Sequence, residues 1–161
     1  RLRFEKIEAQ AFRAEEAPLP DAADLVILGS GIYAHNLLPE LESYIDRHLD
    51  VLRQKKTALF ALSMSPRPVF ARGKSHGGLE HLDPLFRKLG SAVIHADMLG
   101  GQLIFSQLSP EDAKALEAFY GMIKLAPEEI EERKIPRTLM SKPDAWDFAR
   151  TVLKKAREKT P

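Results

Sequence analysis

The feature that most constrains this chain is a short apolar run at residues 25–28 that ends at Gly29-Ser30-Gly31. Its residues are mostly branched and do not alternate with polar ones, which is typical of a strand buried on both faces. A helical pattern follows from about Leu37. The order of strand, glycine-containing loop and helix predicts an α/β sheet that binds ligands at the carboxyl ends of its strands.

Two further apolar runs, at residues 57–64 and 91–96, predict two more buried strands. Between the strands, residues 38–52 and 79–89 repeat their apolar side chains at helical spacing. Strands that alternate with helices are joined by right-handed crossovers and lie parallel. The sequence therefore predicts a parallel sheet with helices on both of its faces.

The two ends of the chain show different patterns. Residues 1–12 alternate between apolar and charged side chains, which predicts a half-exposed strand near an edge of the sheet. Residues 109–112, Ser-Pro-Glu-Asp, combine a capping residue, a proline and two acids, which predicts the start of a helix. Residues 127–133 are charged and expected to be exposed, and residues 144–159 predict a last helix with one apolar face.

The composition narrows the class of protein. A chain of 161 residues with 44% hydrophobic residues predicts one domain over residues 1–161. Lys and Arg total 24 against 23 for Asp and Glu, so charge gives no general argument for a nucleic-acid partner. The absence of cysteine excludes a thiolate metal site and agrees with a cytoplasmic location. No integral membrane segment is expected, because no apolar run approaches about 20 residues.

Three loops are expected to follow the three buried strands, at residues 29–36, 63–78 and 97–101. In a parallel sheet these loops open on the same edge. They offer hydroxyl groups, small residues and one aromatic side chain, Tyr33. A flat ring with polar edges could stack on Tyr33 and accept hydrogen bonds from backbone amides. The alternative is that Tyr33 only covers the end of the sheet.

Other kinds of site are less well supported. Residues 29–34 match the pattern of a dinucleotide-binding loop, but the next strand, at residues 57–64, lacks the acidic residue that such a site needs. Ser30 is not the serine of a nucleophile elbow, because that motif is Gly-x-Ser-x-Gly and Leu28 and Ile32 stand at its two glycine positions. The histidines lack the spacing of metal ligands. The sequence thus predicts no metal site and no catalytic side chain.

Residues 24–48, which contain Gly-Ser-Gly-Ile-Tyr-Ala-His, resemble the flavodoxin-domain proteins, and among them the menaquinone-dependent protoporphyrinogen IX dehydrogenases of bacteria. The similarity continues at residues 58–65, 100–108 and 137–149. The resemblance implies a flavodoxin-like, three-layer α/β fold with a doubly wound parallel sheet of strand order 2-1-3-4-5.

The resemblance also implies a cofactor, flavin mononucleotide (FMN), and electron transfer to a quinone or a redox partner protein. Three groups of residues would contact the flavin. They are Ser30, Gly31, Ile32, Tyr33, Ala34 and His35 after the first buried strand, Ser63, Met64 and Ser65 after the second, and Gly100 and Gly101 after the third.

The chain departs from these proteins at its start. Their first strand and helix, with a hydroxyl-rich phosphate loop between them, have no counterpart here, and residues 1–8 match their second strand. An upstream strand and helix are therefore expected, and without them residues 25–28 would expose one edge. Residues 103–133 are rich in acids, which favours a soluble protein over one that meets membrane quinone. The alternative function is a flavin-free binding or interaction module of the same fold.

Overall fold

The computed structural model describes residues 7–33, 36–71, 74–76 and 78–158. Its strands are β1 (Leu25–Tyr33), β2 (Asn36–Leu37), β3 (Lys56–Ser63), β4 (Val69–Ala71), β5 (Lys74–His76), β6 (Val93–Gly100), β7 (Gln102–Leu103) and β8 (Arg137–Thr138). Its helices are α1 (Pro39–Arg47), α2 (Leu49–Leu52), α3 (Asp83–Leu89), α4 (Pro110–Met122), α5 (Pro127–Lys134) and α6 (Lys142–Arg157).

The central sheet contains β2, β1, β3 and β6, side by side in this order. Strands β1, β3 and β6 run parallel, and the short β2 adds an antiparallel pair at the end of β1. Helices α1 to α3 lie in the connections between the parallel strands. The predicted α/β fold, with parallel strands flanked by helices, is confirmed, and β2 makes the sheet mixed.

Strands β1 and β6 are longer than the sequence predicts. The segment from Gly29 to Gly31 continues the parallel ladder opposite residues 60–62 of β3. The prediction of a loop is therefore wrong for residues 29–33, and likewise for residues 97–100, which belong to β6. The ladder forms between backbone groups, so glycines and polar residues can extend a strand when a neighbour supplies the hydrogen bonds.

Helices α1 and α3 cover one face of this sheet. Apolar side chains of the strands and of these two helices meet there in the larger core cluster. Its members include Leu28, Leu59, Ala61 and Met98 from the strands and Leu41, Ile45, Leu85 and Leu89 from the helices. The helical spacing predicted for residues 38–52 is confirmed, because Leu41, Ile45 and Leu52 are all buried.

Helix α6 covers the other face. Phe148 and Val152 pack with Ala58 in a second buried cluster, and the Phe148 ring centroid lies 5.6 Å from that of Phe60 and 5.5 Å from that of His95. Burial, and then the Lys155 ammonium group, lower the pKa of His95. Helix α6 therefore docks on this face through both Phe148 and Val152, and the three layers predicted from the sequence are present.

Within the part of the chain that the structure describes, most of the outer edge of β1 has no neighbouring strand. On the side away from β3, the residues that the structure describes place only β2 beside β1, at Ile32 and Tyr33. Of the predicted strand at residues 1–12, residues 1–6 lie outside the described residues, and residues 7–12 form neither a helix nor a strand. The upstream strand and helix remain a prediction.

The segment predicted as a loop at residues 63–78 contains secondary structure. Strands β4 and β5 form an antiparallel pair in which Val69 lies opposite His76 and Ala71 opposite Lys74. The sequence did not predict this hairpin. Each of its strands has only three residues, and the segment contains prolines, glycines and charged residues, which are typical of loops.

The predicted helix start at Ser109 is confirmed, because its hydroxyl accepts a hydrogen bond from the N–H of Asp112 at 3.0 Å. Helix α5 covers the charged segment that the sequence predicts to be exposed, and none of its residues is buried. Among the described residues, no helix is both long and apolar enough to cross a membrane.

A pair of backbone hydrogen bonds ties the C-terminal third of the chain to the sheet. Gly101 N–H donates to the Ser63 carbonyl oxygen at 2.8 Å, and the Gly101 carbonyl oxygen accepts from Leu139 N–H at 2.8 Å. Strands β7 and β8 pair beside this junction. A Cβ atom on Gly100 would overlap the Leu139 carbonyl oxygen, so only glycine permits this approach.

We predict that Gly100→Ala lowers the free energy of unfolding by about 1–3 kcal/mol, because the added methyl group must displace the backbone at Leu139. Chemical denaturation measures the change. Gly121→Ala in α4 is the matched control. No described atom lies within 4 Å of a Cβ atom there, so the change should be stabilising by up to about 1 kcal/mol. Equal effects of the two substitutions would contradict the proposed backbone contact.

Candidate functional site

The register of the three parallel strands brings their carboxyl ends to one rim. Gly31 lies opposite Leu62, and Leu62 lies opposite Leu99. Ser63 lies opposite Gly100. The segments that follow or end these strands, residues 30–33, 63–65 and 100–101, therefore share this edge of the sheet. We call this edge the carboxyl rim.

Ser30 uses its hydroxyl group within the protein. The side chain is only 4% exposed. Its Oγ accepts a hydrogen bond from Leu38 N–H at 2.9 Å and donates one to the Gly31 carbonyl oxygen at 2.7 Å. Leu38 is the residue that precedes α1. Ser30 thus fastens the start of α1 to the end of β1, and this explains a serine here without any ligand.

Tyr33 presents an aromatic surface at the end of β1. Its side chain is 49% exposed, and a Cβ atom on Gly31 would lie 3.0 Å from the Tyr33 ring. Ile32 is half-buried and packs against the larger core cluster. Ala34 and His35, also predicted to contact the ligand, lie outside the described residues. Of the described members of the first predicted group, Tyr33 presents an exposed aromatic side chain at the rim.

Residues 63–65 form a turn that is ordered by its own hydrogen bonds. Ser65 N–H donates to Ser63 Oγ at 3.0 Å, and the Ser63 carbonyl oxygen is bound to Gly101. Met64 is half-buried. These two hydrogen bonds hold the backbone of the turn against the end of β6.

The two glycines at the end of β6 are explained by packing between backbones. Gly100 is covered by Leu139, and a Cβ atom on Gly101 would lie 3.2 Å from backbone atoms of Ser63. The side chains of Leu139 and Met140 are 47% and 60% exposed beside this junction. The sequence did not identify these two residues as neighbours of the rim. The one sequence feature that pointed to Leu139 was its place in residues 137–149, which resemble the flavodoxin-domain proteins.

A cavity of about 310 Å³ lies beside the rim, between residues 66–68 and β6. Its lining residues are Pro66, Pro68, Gly78, Leu79, Glu80, Asp97 and Met98. The Asp97 carboxylate accepts a hydrogen bond from Met98 N–H at 2.8 Å. Of the described residues that line this cavity, Glu80 and Asp97 carry carboxylates and none carries a positive charge.

The helix that begins at the rim does not resemble a phosphate site. Helix α1 has Pro39 at its first position, which lacks an N–H group, and Glu40 and Glu42 in its first turn. These carboxylates already occupy the favourable end of the helix dipole. The start of α1 therefore lacks the features of a phosphate-binding helix terminus.

The described ranges contain no set of side chains suited to binding a metal ion. No group of three or more His, Cys, Asp or Glu side chains there could hold a metal ion.

The family model of the flavodoxin domain matches residues 3–144, and the chain therefore belongs to this family. No curated protein and no solved structure matches the chain.

We predict that Ser30→Ala lowers the free energy of unfolding by about 1–2 kcal/mol, because Leu38 N–H loses its acceptor. Denaturant titration measures this loss. Ser106→Ala, at an exposed serine, is the control and should change stability by less than about 0.5 kcal/mol. If Ser30→Ala were as neutral as the control, the assigned structural role of the hydroxyl would be wrong.

Proposed function

We propose that the chain binds the isoalloxazine ring of FMN at the carboxyl rim and serves as a redox protein. The observation that carries this proposal is the half-exposed ring of Tyr33 at the end of β1, on the same edge as the turn at residues 63–65. Membership of the flavodoxin domain family supports a flavin as the ligand.

Tyr33 would contribute the stacking surface. An aromatic face buries apolar area against a flat ring, and Gly31 leaves space for the Tyr33 ring over the strand. On the other side of the rim, the turn at residues 63–65 would offer backbone groups to the polar edge of the flavin. Leu139 and Met140 would exclude water from the third side, since both are apolar and exposed there.

A bound flavin supplies the redox chemistry, since it can accept and release one or two electrons. The chain's own residues would set the potential through stacking at Tyr33 and through backbone hydrogen bonds from the turn at residues 63–65. No side chain is assigned as an acid or a base.

The electron acceptor would be a quinone or a protein partner. A menaquinone-dependent activity like that of the protoporphyrinogen dehydrogenases is the narrower form of this proposal. Anaerobic reoxidation of the reduced, flavin-loaded chain by a soluble naphthoquinone distinguishes a quinone acceptor from a protein acceptor.

We predict that the full chain quenches the fluorescence of added flavin and that Tyr33→Ala weakens this binding by about three- to tenfold, because the stacking contact is lost. Tyr33→Phe is the matched control. It keeps the ring and should retain the affinity of the unsubstituted chain. Riboflavin, which lacks the phosphate, should bind with an affinity similar to that of FMN if the described rim contacts the ring alone.

Two results would overturn the proposal in different ways. A chain that folds but never quenches flavin would be the flavin-free interaction module. Quenching that is the same in Tyr33→Ala and Tyr33→Phe would place the ring away from Tyr33.

A further inference from the structure

The surface on which helix α6 packs includes the ring of a histidine. Phe148 and Val152 of α6 lie over Ala58 of β3. On the neighbouring strand β6, His95 lies opposite Ala58, and its ring stacks on the Phe148 ring with an interplanar angle of 29°. A side chain that can change its charge near neutral pH therefore forms part of the contact between α6 and the sheet.

Helix α6 brings a positive charge to the same ring. The Nζ atom of Lys155 lies 3.4 Å from Nδ1 of His95. An ammonium group can only donate hydrogen bonds, so this contact is favourable only while Nδ1 keeps its lone pair. A proton on Nδ1 would set two hydrogen-bond donors and two positive charges against each other. The contact thus favours a neutral imidazole at His95.

Burial of the ring acts in the same direction as Lys155. Burial, and then the Lys155 ammonium group, lower the pKa of His95, and the Asp97 carboxylate on the same strand opposes them in part. The folded chain therefore holds this proton less tightly than the unfolded chain does. Protonation consequently favours any state in which His95 has separated from α6.

Strand β6 packs mainly against β3, α6 and the helical turn at residues 78–82, so the charged groups of these elements also bear on His95. From β3, Lys56 Nζ donates to the carbonyl oxygens of Ala156 and Glu158, at 2.6 Å and 2.8 Å. The ammonium group of Lys56 is therefore held at the C-terminal end of α6 by backbone oxygens, in a contact that does not involve the imidazole.

The remaining charged groups of these elements do not contact the ring in the described structure. On α6, Arg150 pairs with Asp147, and both side chains are exposed. Glu80 and His81 belong to the turn at residues 78–82, which packs in the larger core cluster on the face covered by α1 and α3. Among the described residues, Lys155 and Asp97 are thus the charged groups that act on His95.

We propose that His95 makes the docking of α6 on the sheet sensitive to pH. With a neutral imidazole, α6 packs closely on β3 and β6. With a proton on Nδ1, the helix separates from the sheet more readily, because separation returns the imidazolium to water and removes it from Lys155. The inference goes beyond the proposed flavin site and does not depend on it.

The direction of the effect follows from proton linkage. Because the docked state has the lower pKa at His95, docking is strongest above the ordinary histidine value of 6.5. It weakens as the pH falls below that value and reaches a constant level once the pH is below the pKa of the docked state.

The test is amide hydrogen exchange of the full chain without flavin, from about pH 8 to about pH 5, with NMR titration of the His95 ring in the same samples. Protection factors correct for the intrinsic effect of pH on exchange. Protection of the α6 amides should fall with pH, by a factor equal to the ratio of the acid dissociation constants of His95 in the docked and separated states. Amides of α1, on the opposite face, are the internal control and should lose less protection.

His95→Gln removes the titratable ring and keeps an oxygen that can accept from Lys155. In this variant the protection of α6 should no longer fall between about pH 8 and about pH 5. His48→Gln is the matched control, because the His48 ring also lies against an aromatic side chain, Tyr44 of α1, at a centroid distance of 4.7 Å. It should keep the pH response of α6 seen in the unsubstituted chain.

Lys155→Gln removes the positive charge and should raise the pKa of His95 toward 6.5, so that α6 loses less protection on acidification. A pKa of His95 at or above 6.5 in the unsubstituted chain, a pH response that persists in His95→Gln, or equal losses in α1 and α6 would each overturn the inference. If His95→Gln does not fold, the pKa of His95 in the unsubstituted chain and in Lys155→Gln still decides, because Lys155 is exposed and its substitution is tolerated.

Discussion

The parallel pairing of β1, β3 and β6 is the constraint on which the rest of this structure depends. Its register aligns Gly31 with Leu62 and Leu62 with Leu99, so that three separate segments end at the same level. A slip of one residue in β1 would turn Leu28 away from the larger core cluster and Ile27 away from the cluster under α6. Core packing and the geometry of the carboxyl rim are therefore fixed by the same hydrogen-bond ladder.

One residue links this rim to the C-terminal third of the chain. Gly101 donates to Ser63 on one side and accepts from Leu139 on the other. The chain continues from Leu139 into α6, whose Phe148 packs on the face of the sheet opposite α1 and α3. Backbone hydrogen bonds therefore connect the rim to the segment that leads into α6. The exposed Leu139 and Met140 lie at this junction, between the candidate site and the helix.

Most of the architecture could be predicted because it follows from local patterns of apolar residues in the sequence. The apolar runs marked β1, β3 and β6, and helical spacing marked α1 and α6. The ends of strands were predicted less well. Residues 29–33 and 97–100 pair with neighbours that are distant in sequence, and glycines in an isolated segment suggest a loop. The β4–β5 hairpin was missed for a related reason, since three-residue strands carry too little pattern.

The site shows the same division. Tyr33 could be singled out from the sequence, because it is the aromatic residue of the segment 29–36 that was predicted to follow the first buried strand. The use of the Ser30 hydroxyl could not be predicted, since its partner Leu38 is brought near only by the turn into α1. The reason for glycine at position 100 also depends on a distant residue, Leu139. Backbone contacts between residues that are distant in sequence produce no repeating pattern of residues from which they could be predicted.

The central claim is that the three segments at the carboxyl rim form one surface for a flavin ring. Mapping of backbone amide shifts in the full chain during titration with FMN tests it most directly. The account predicts that the largest shifts fall in residues 30–33 and 63–65, with smaller ones at Gly101. Shifts concentrated instead around the acidic surface of α5, with the carboxyl rim unchanged, would contradict it.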